Sequence, residues 1–178
     1  MSRIVDPESG KDLDVGEDGE IWVKGPQVMP GYLNNAEATA ATIDAEGWLH
    51  TGDEGAIDEN GFLKITGRVK DLFKTSKGKY VAPSPIEMKL SANKNIEQVC
   101  VVGNQLPQPI AIVVLSERGK NKAKADLISS LKTSMEVVNP KLEGHEKIHN
   151  FIVVKEDWTV ENKLLTPTMK IKRNAIEK

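Results

Sequence analysis

"GWLHTGDEGAIDENGFLKITGRVKDLFKTSKGKYVAPSPIE" (Gly47–Glu87) decides how this chain is read. It places Thr51-Gly52-Asp53 at one end and Gly67-Arg68-Val69-Lys70-Asp71 beyond a turn. Thr75-Ser76-Lys77-Gly78-Lys79 follows a few residues later. "WLHTGDEGAI" and "FLKITGR" read as strands joined by "DENG", which has the residues of a hairpin turn. "DLFKTS" and "KYVAP" flank "KG" and read as a second, smaller hairpin. The composition changes between the two hairpins, so a unit boundary is expected there.

Working upstream, "GEIWVKG" alternates around Ile21 and Val23 and reads as a strand. "NNAEATAATID" reads as a short helix, with Asn34 as its cap and Glu37 as the reciprocal partner. Roughly 70 residues of hairpins with one short helix make a thin core, so this part is expected to belong to something larger. Downstream, "SPIEMKLSAN" carries helix-start signals at Ser84 (cap), Pro85 and Glu87. "IEQVCVVGN", "PIAIVVLSE" and "NFIVVKEDW" read as strands, and "KADLISSLKTSMEVV" has helical spacing at Leu127, Leu131 and Met135. The fold class expected is α+β. Residues 1–69 form a β-rich part, 70–71 a hinge, and 72–178 a small unit with a hairpin and a short mixed sheet flanked by helices.

Composition excludes several classes. The 178 residues carry a net charge of −2 and 4% aromatics, which offers neither a basic field nor stacking platforms for nucleic acid. A single cysteine, Cys100, excludes an internal disulfide framework. No apolar run reaches the length of a membrane span, and "MSRIVDPESG" lacks the apolar core of a signal peptide. A cytoplasmic location is expected, with peripheral membrane association left open. "DENG" lacks the closing glutamate of a calcium loop, and His50, His145 and His149 show no ligand spacing, so no metal site is expected.

Five sites could carry chemistry. Asp53 after Thr-Gly is either a turn former or a carboxylate that accepts hydrogen bonds from a vicinal diol, as acids do for ribose. Arg68 is either a surface ion-pair partner or a planar donor fork beside a polar ligand. Lys70 stands where two units meet and could absorb a backbone change. "TSKGK" lacks the spacing of a phosphate loop, and its Gly78 suits a hairpin turn with positive φ that a ligand can approach. Lys170, in "TPTMKIKR", is either a solvated tail residue or a cation delivered to a place where two anions meet.

Taken together, "EGWLHTGDEGAIDENGFLKITGRVKDLFKTSKGKYVAPSPIE" and "LLTPTMKIKR" resemble the adenylate-forming superfamily, and within it the C-terminal portion of the long-chain fatty acyl-CoA synthetases. The resemblance implies the β-rich end of a large domain, a distorted barrel subdomain, followed by a small mobile domain. It implies ATP, Mg2+ and coenzyme A, with a fatty acid as the other substrate. Mg2+ would be held mainly by residues upstream of this chain. By the same resemblance, Asp53 and Arg68 match ribose-binding positions, Lys70 the hinge, and Lys170 the catalytic lysine of adenylation. Lys77, Gly78 and Lys79 match the turn lining the coenzyme A tunnel. Met169 stands where many members have glycine. Other adenylate-forming enzymes (medium-chain or aryl acid ligases, carrier-loading adenylation domains) and a non-catalytic partner-binding module are the competing readings. The fragment alone is expected to be inactive.

Overall fold

The structure, a computed structural model, describes residues 1–177. It divides into two compact units that change over between Lys70 and Asp71. The changeover falls in a single 3-10 turn, Val69–Asp71.

The first unit contains β1 (Ser2–Val5), β2 (Gly19–Val23), α1 (Ala36–Thr42), β3 (Leu49–Ile57) and β4 (Leu63–Arg68). The strands pair antiparallel in the order β1-β2-β3-β4. The expected barrel is not closed among the described residues: the four strands form an open sheet whose outer strands are β1 and β4, with the 11–13 segment bonded along β1. Ile4, Val5 and Ile21 form its small buried core, while Phe62, Leu63 and Ile65 stay exposed on and beside β4. The "DENG" turn is held by Asp58, whose carboxylate accepts from the amides of Asn60 and Phe62. Helix α1 is capped by Asn35, which accepts from the Ala38 amide, and not by Asn34 as expected. Asn34 lies before the helix with φ 52, a region that asparagine tolerates better than most residues.

A lateral row of rings crosses this sheet. Arg3 pairs in register with Trp22, and Trp22 with His50. The His50 ring stacks on Trp22 at 3.7 Å, and the Arg3 guanidinium lies over both Trp22 and Trp48. Cross-strand neighbours on one face meet in this way because the side-chain period of a strand is two. His50 is thus engaged through its ring face.

The second unit begins with a hairpin, β5 (Phe73–Lys74) and β6 (Tyr80–Val81), followed by α2 (Pro83–Leu90). The remaining elements are β7 (Ile96–Val102), β8 (Ile110–Leu115), α3 (Glu117–Lys120), α4 (Lys124–Val138), β9 (Phe151–Val154) and α5 (Arg173–Ile176). β8 is the centre of a mixed sheet, antiparallel to β7 and parallel to β9. Ser84 does not cap α2. The helix starts at Pro83, after an extended Ala82 whose side chain makes no cap bond. Proline fits that first position because its missing N–H would have had no intrahelical acceptor there.

Both faces of this sheet are covered. Val99, Val101, Ala111 and Val113 pack against α2 and α4 residues such as Ile86, Leu90, Leu131 and Val138. The alternate residues Cys100, Val102 and Val114 pack against Trp158 and Leu165 from the C-terminal segment. That segment is further held by Gln98, whose amide donates to the Trp158 carbonyl and accepts from the Trp158 N–H.

Candidate functional site

Thr51-Gly52-Asp53 is not a turn between elements. It lies inside β3, within a bulge. Glu20 faces Glu54 and Trp22 faces His50, so the three residues from Thr51 to Asp53 stand opposite the single residue Ile21. On the other side, Glu54 faces Gly67 and Gly55 faces Ile65, so β4 carries one extra residue, Thr66. Bulges re-aim side chains and strengthen local twist. Here they bracket Asp53 from both neighbouring strands. The bulge is stitched by the Thr51 hydroxyl, which donates to the Ile21 carbonyl and accepts from the Asp53 amide. The Glu20 carboxylate accepts from the Gly52 amide on one oxygen and from the Trp22 indole N–H on the other.

Asp53 and Arg68 are direct register partners, and Arg68 Nε lies 2.9 Å from Asp53 Oδ1. The pair is partly open to solvent, with side-chain exposures of 62% for Arg68 and 32% for Asp53. An ionised carboxylate has about four lone-pair sites, so one contact with arginine leaves acceptor capacity for a further donor. The two residues matched by resemblance to ribose-binding positions are thus brought together by strand pairing. Lys70, just beyond, is exposed within the 3-10 turn at the unit boundary.

In the second unit, Lys77, Gly78 and Lys79 form the exposed tip of the β5–β6 hairpin. The Thr75 carbonyl accepts from the Gly78 amide, and the Thr75 amide donates to the Lys79 carbonyl. Gly78 has φ +76 with open space around it, so the tip needs a residue without a Cβ penalty and presents bare backbone. The hairpin is tied to the 103–106 loop by the Ser76 amide donating to the Leu106 carbonyl and the Gln105 amide donating to the Lys74 carbonyl.

Lys170 is exposed on a tight turn closed by a bridge between Leu165 and Ile171. The Thr166 carbonyl accepts from the Met169 amide, the Thr166 amide donates to the Lys170 carbonyl, and the Lys170 amide donates to the Thr166 hydroxyl. Pro167 occupies the second position of this turn, where its fixed φ is favoured. Met169 takes φ 61, the conformation that glycine adopts most readily. The turn therefore keeps a glycine-type shape with a methionine in it.

Arg173 lies three residues beyond Lys170 in the basic tail, yet its side chain is largely withdrawn from solvent against the sheet, 11% exposed. Its Nη1 donates to Glu87 Oε1 at 2.8 Å, to the Val101 carbonyl and to the Cys100 sulfur. Glu87 Oε1 also accepts from the Val101 amide, so Glu87 serves the core and not a helix cap. Burial works against the charge of Arg173, but its hydrogen bond and attraction to Glu87 outweigh this and hold it protonated. Burial pushes the Cys100 thiol up to about 12, with Arg173 opposing the shift. Gly52 inside a strand pattern was the sequence signal for the bulge. Nothing local announced the Arg173–Glu87 contact.

A family model described as the AMP-binding enzyme C-terminal domain matches residues 70–178. The chain belongs to that family. Among its relatives, the long-chain-fatty-acid–CoA ligase FadD15 of Mycobacterium tuberculosis is 36% identical over 99% of this chain and 32% of that protein. The 4-coumarate–CoA ligase 1 of Oryza sativa subsp. japonica is 45% identical over 65% of this chain and 21% of that protein. Among solved structures, the adenylation domain of a carboxylate reductase from Mycobacterium chelonae superposes with a TM-score of 0.83. It is 30% identical, over 99% of this chain and 29% of that one. The chain thus spans about a third of the length of the curated relative FadD15. The family match begins at Lys70, one residue before the second compact unit, and the relatives extend the likeness upstream through the sheet that carries Asp53.

Proposed function

We propose that this chain is the C-terminal portion of an ATP-dependent acyl-CoA synthetase of the long-chain fatty acid type. The observation that carries the reading is the in-register pair of Asp53 and Arg68 on bulged strands, in a chain whose second unit matches the AMP-binding C-terminal family. In this reading a fatty carboxylate oxygen attacks the α-phosphorus of ATP, forming the acyl-adenylate as pyrophosphate leaves. The sulfur of coenzyme A, its proton lost, then attacks the acyl carbon and expels AMP.

Asp53 accepts hydrogen bonds from the ribose hydroxyls, and Arg68 orients that carboxylate while adding donors of its own. Lys170 offsets the negative charge gathered where carboxylate meets triphosphate, since fixed charge placed where charge develops is usually the largest catalytic term. Lys77, Gly78 and Lys79 line the approach of the pantetheine arm. One lysine and a bulky thiol cannot occupy the same approach together, so the second unit presents its two surfaces in turn, pivoting at Lys70. Magnesium is assigned to residues outside this chain.

The likeness to a 4-coumarate–CoA ligase and to a reductase adenylation domain supports a second reading, in which the acid is aromatic or the acceptor is a carrier. The experiment is acid-dependent pyrophosphate release by the full-length protein across fatty and aryl acids, with coenzyme A as acceptor. Preference for long-chain fatty acids is expected. Preference for aryl acids would move the protein to the second reading, and turnover by the isolated 178-residue chain would remove the need for upstream residues.

A further inference from the structure

Lys170 is exposed and its turn is short, so something outside the turn must set its direction. Three residues on, Arg173 opens α5, a helix of four residues without a side-chain cap. So short a helix has no stability of its own. It is held by Ile176, which packs against the Cys100 face of the sheet, and by the Arg173 side chain, which crosses to Glu87 on α2 and to the Cys100–Val101 segment of β7. The turn between Leu164 and Lys172 is then held at both ends: by buried Leu165 at its start and by Arg173 just past its close.

The choice of an ion pair here is informative. A buried pair costs desolvation, and a well-packed apolar pair of similar volume is often as stable. The three acceptors all meet Nη1, and what arginine supplies is a rigid planar fork whose direction they set. We infer that the Arg173–Glu87 pair is a positioning device that aims Lys170 at the adenylation centre. This rests on the reading of Lys170 given above.

The test uses E87Q/R173M, which removes the buried charges together and keeps a side-chain amide oxygen at position 87 to accept from the Val101 amide. In the 178-residue chain, amide exchange at Thr166, Met169 and Lys170 should quicken by roughly tenfold or more, while Val99 and Val113 in β7 and β8 keep their protection. Unchanged exchange in the turn overturns the inference. In the full-length protein, the same variant should lower adenylate formation by roughly 10–100-fold and leave thioester formation from supplied acyl-adenylate within about twofold. R173K, which keeps the charge without the fork, should fall between it and the parent. Equal loss of both half-reactions would mean a merely structural role and overturns the inference. K170A run in parallel separates the two ideas. If K170A adenylates normally, the role of Lys170 itself is wrong; if K170A is crippled while E87Q/R173M is not, only the positioning role fails.

Discussion

Asp53 and Arg68 face each other across β3 and β4, joined at 2.9 Å, with a strand bulge on either side of the pair. Strand pairing brings them together although they lie 15 residues apart in the chain, and the bulges set the direction in which the carboxylate points.

An exposed ion pair of this kind contributes only about 0–1 kcal/mol to stability. Hydrogen bonds to a charged group contribute more to ligand binding, about 1.5–3 kcal/mol. Asp53→Ala in the full-length protein should therefore weaken AMP and ATP binding by roughly 10–100-fold with little change in thermal midpoint. Calorimetric titration checks the first and a melting curve the second. Unchanged nucleotide affinity would leave Asp53 as the ion-pair partner of Arg68 and nothing more.

The proposed alternation separates two half-reactions. Lys170→Ala should cripple adenylate formation, by about 2–4 kcal/mol of transition-state stabilisation, and spare thioester formation from supplied acyl-adenylate. Lys70→Pro fixes φ in the 3-10 turn at the unit boundary and should leave one half-reaction relatively intact while slowing the other. Single-turnover assays with each substrate set measure both. Parallel loss in both variants contradicts separate roles.

Met169 holds φ 61 on the exposed Lys170 turn. A left-handed backbone costs an ordinary L residue about 1–2 kcal/mol, partly offset by the greater entropy glycine loses on folding. Met169→Gly should thus stabilise the chain by about 0.5–1 kcal/mol, and Met169→Val, β-branched at the same φ, should destabilise it. Denaturant midpoints of the 178-residue chain decide. A lower midpoint for the glycine variant would show that the methionine makes contacts that outweigh its backbone strain.

Cys100 is buried and its thiol is pushed up to about 12 from the ordinary 9.0. The folded state therefore holds this proton through a range in which the unfolded chain has lost it. The stabilisation is complete below pH 9 and falls as pH rises from 9 towards 12. Cys100→Ala should flatten that part of the stability–pH curve relative to the parent chain, and at neutral pH the native thiol should resist alkylation until denaturant is added. Rapid labelling of the folded chain, or an identical alkaline slope in the alanine variant, would contradict the burial.

Much of the fold is legible in local chemistry. The 124–138 helix, the core strands and the "DENG" and "TSKGK" turns all follow from apolar periodicity and turn residues, which act over a few positions. Helix starts are less so: Asn34 and Ser84 carry the right chemistry, yet Asn35 and Ala82 take the cap positions, because neighbouring backbone geometry selects among adjacent candidates. Asp53 and Arg68 stand out as residue types, but their pairing depends on a register that two bulges reset.

Residue identity and short-range pattern alone determined the α+β class, the family resemblance and the set of polar residues worth naming. Only the folded chain decided that Arg173 lies inside rather than in solvent, that Glu87 serves it across 86 residues, and that Cys100 is held neutral. Burial and electrostatics depend on what surrounds a group, and for these three the surroundings come from strands and helices distant in sequence.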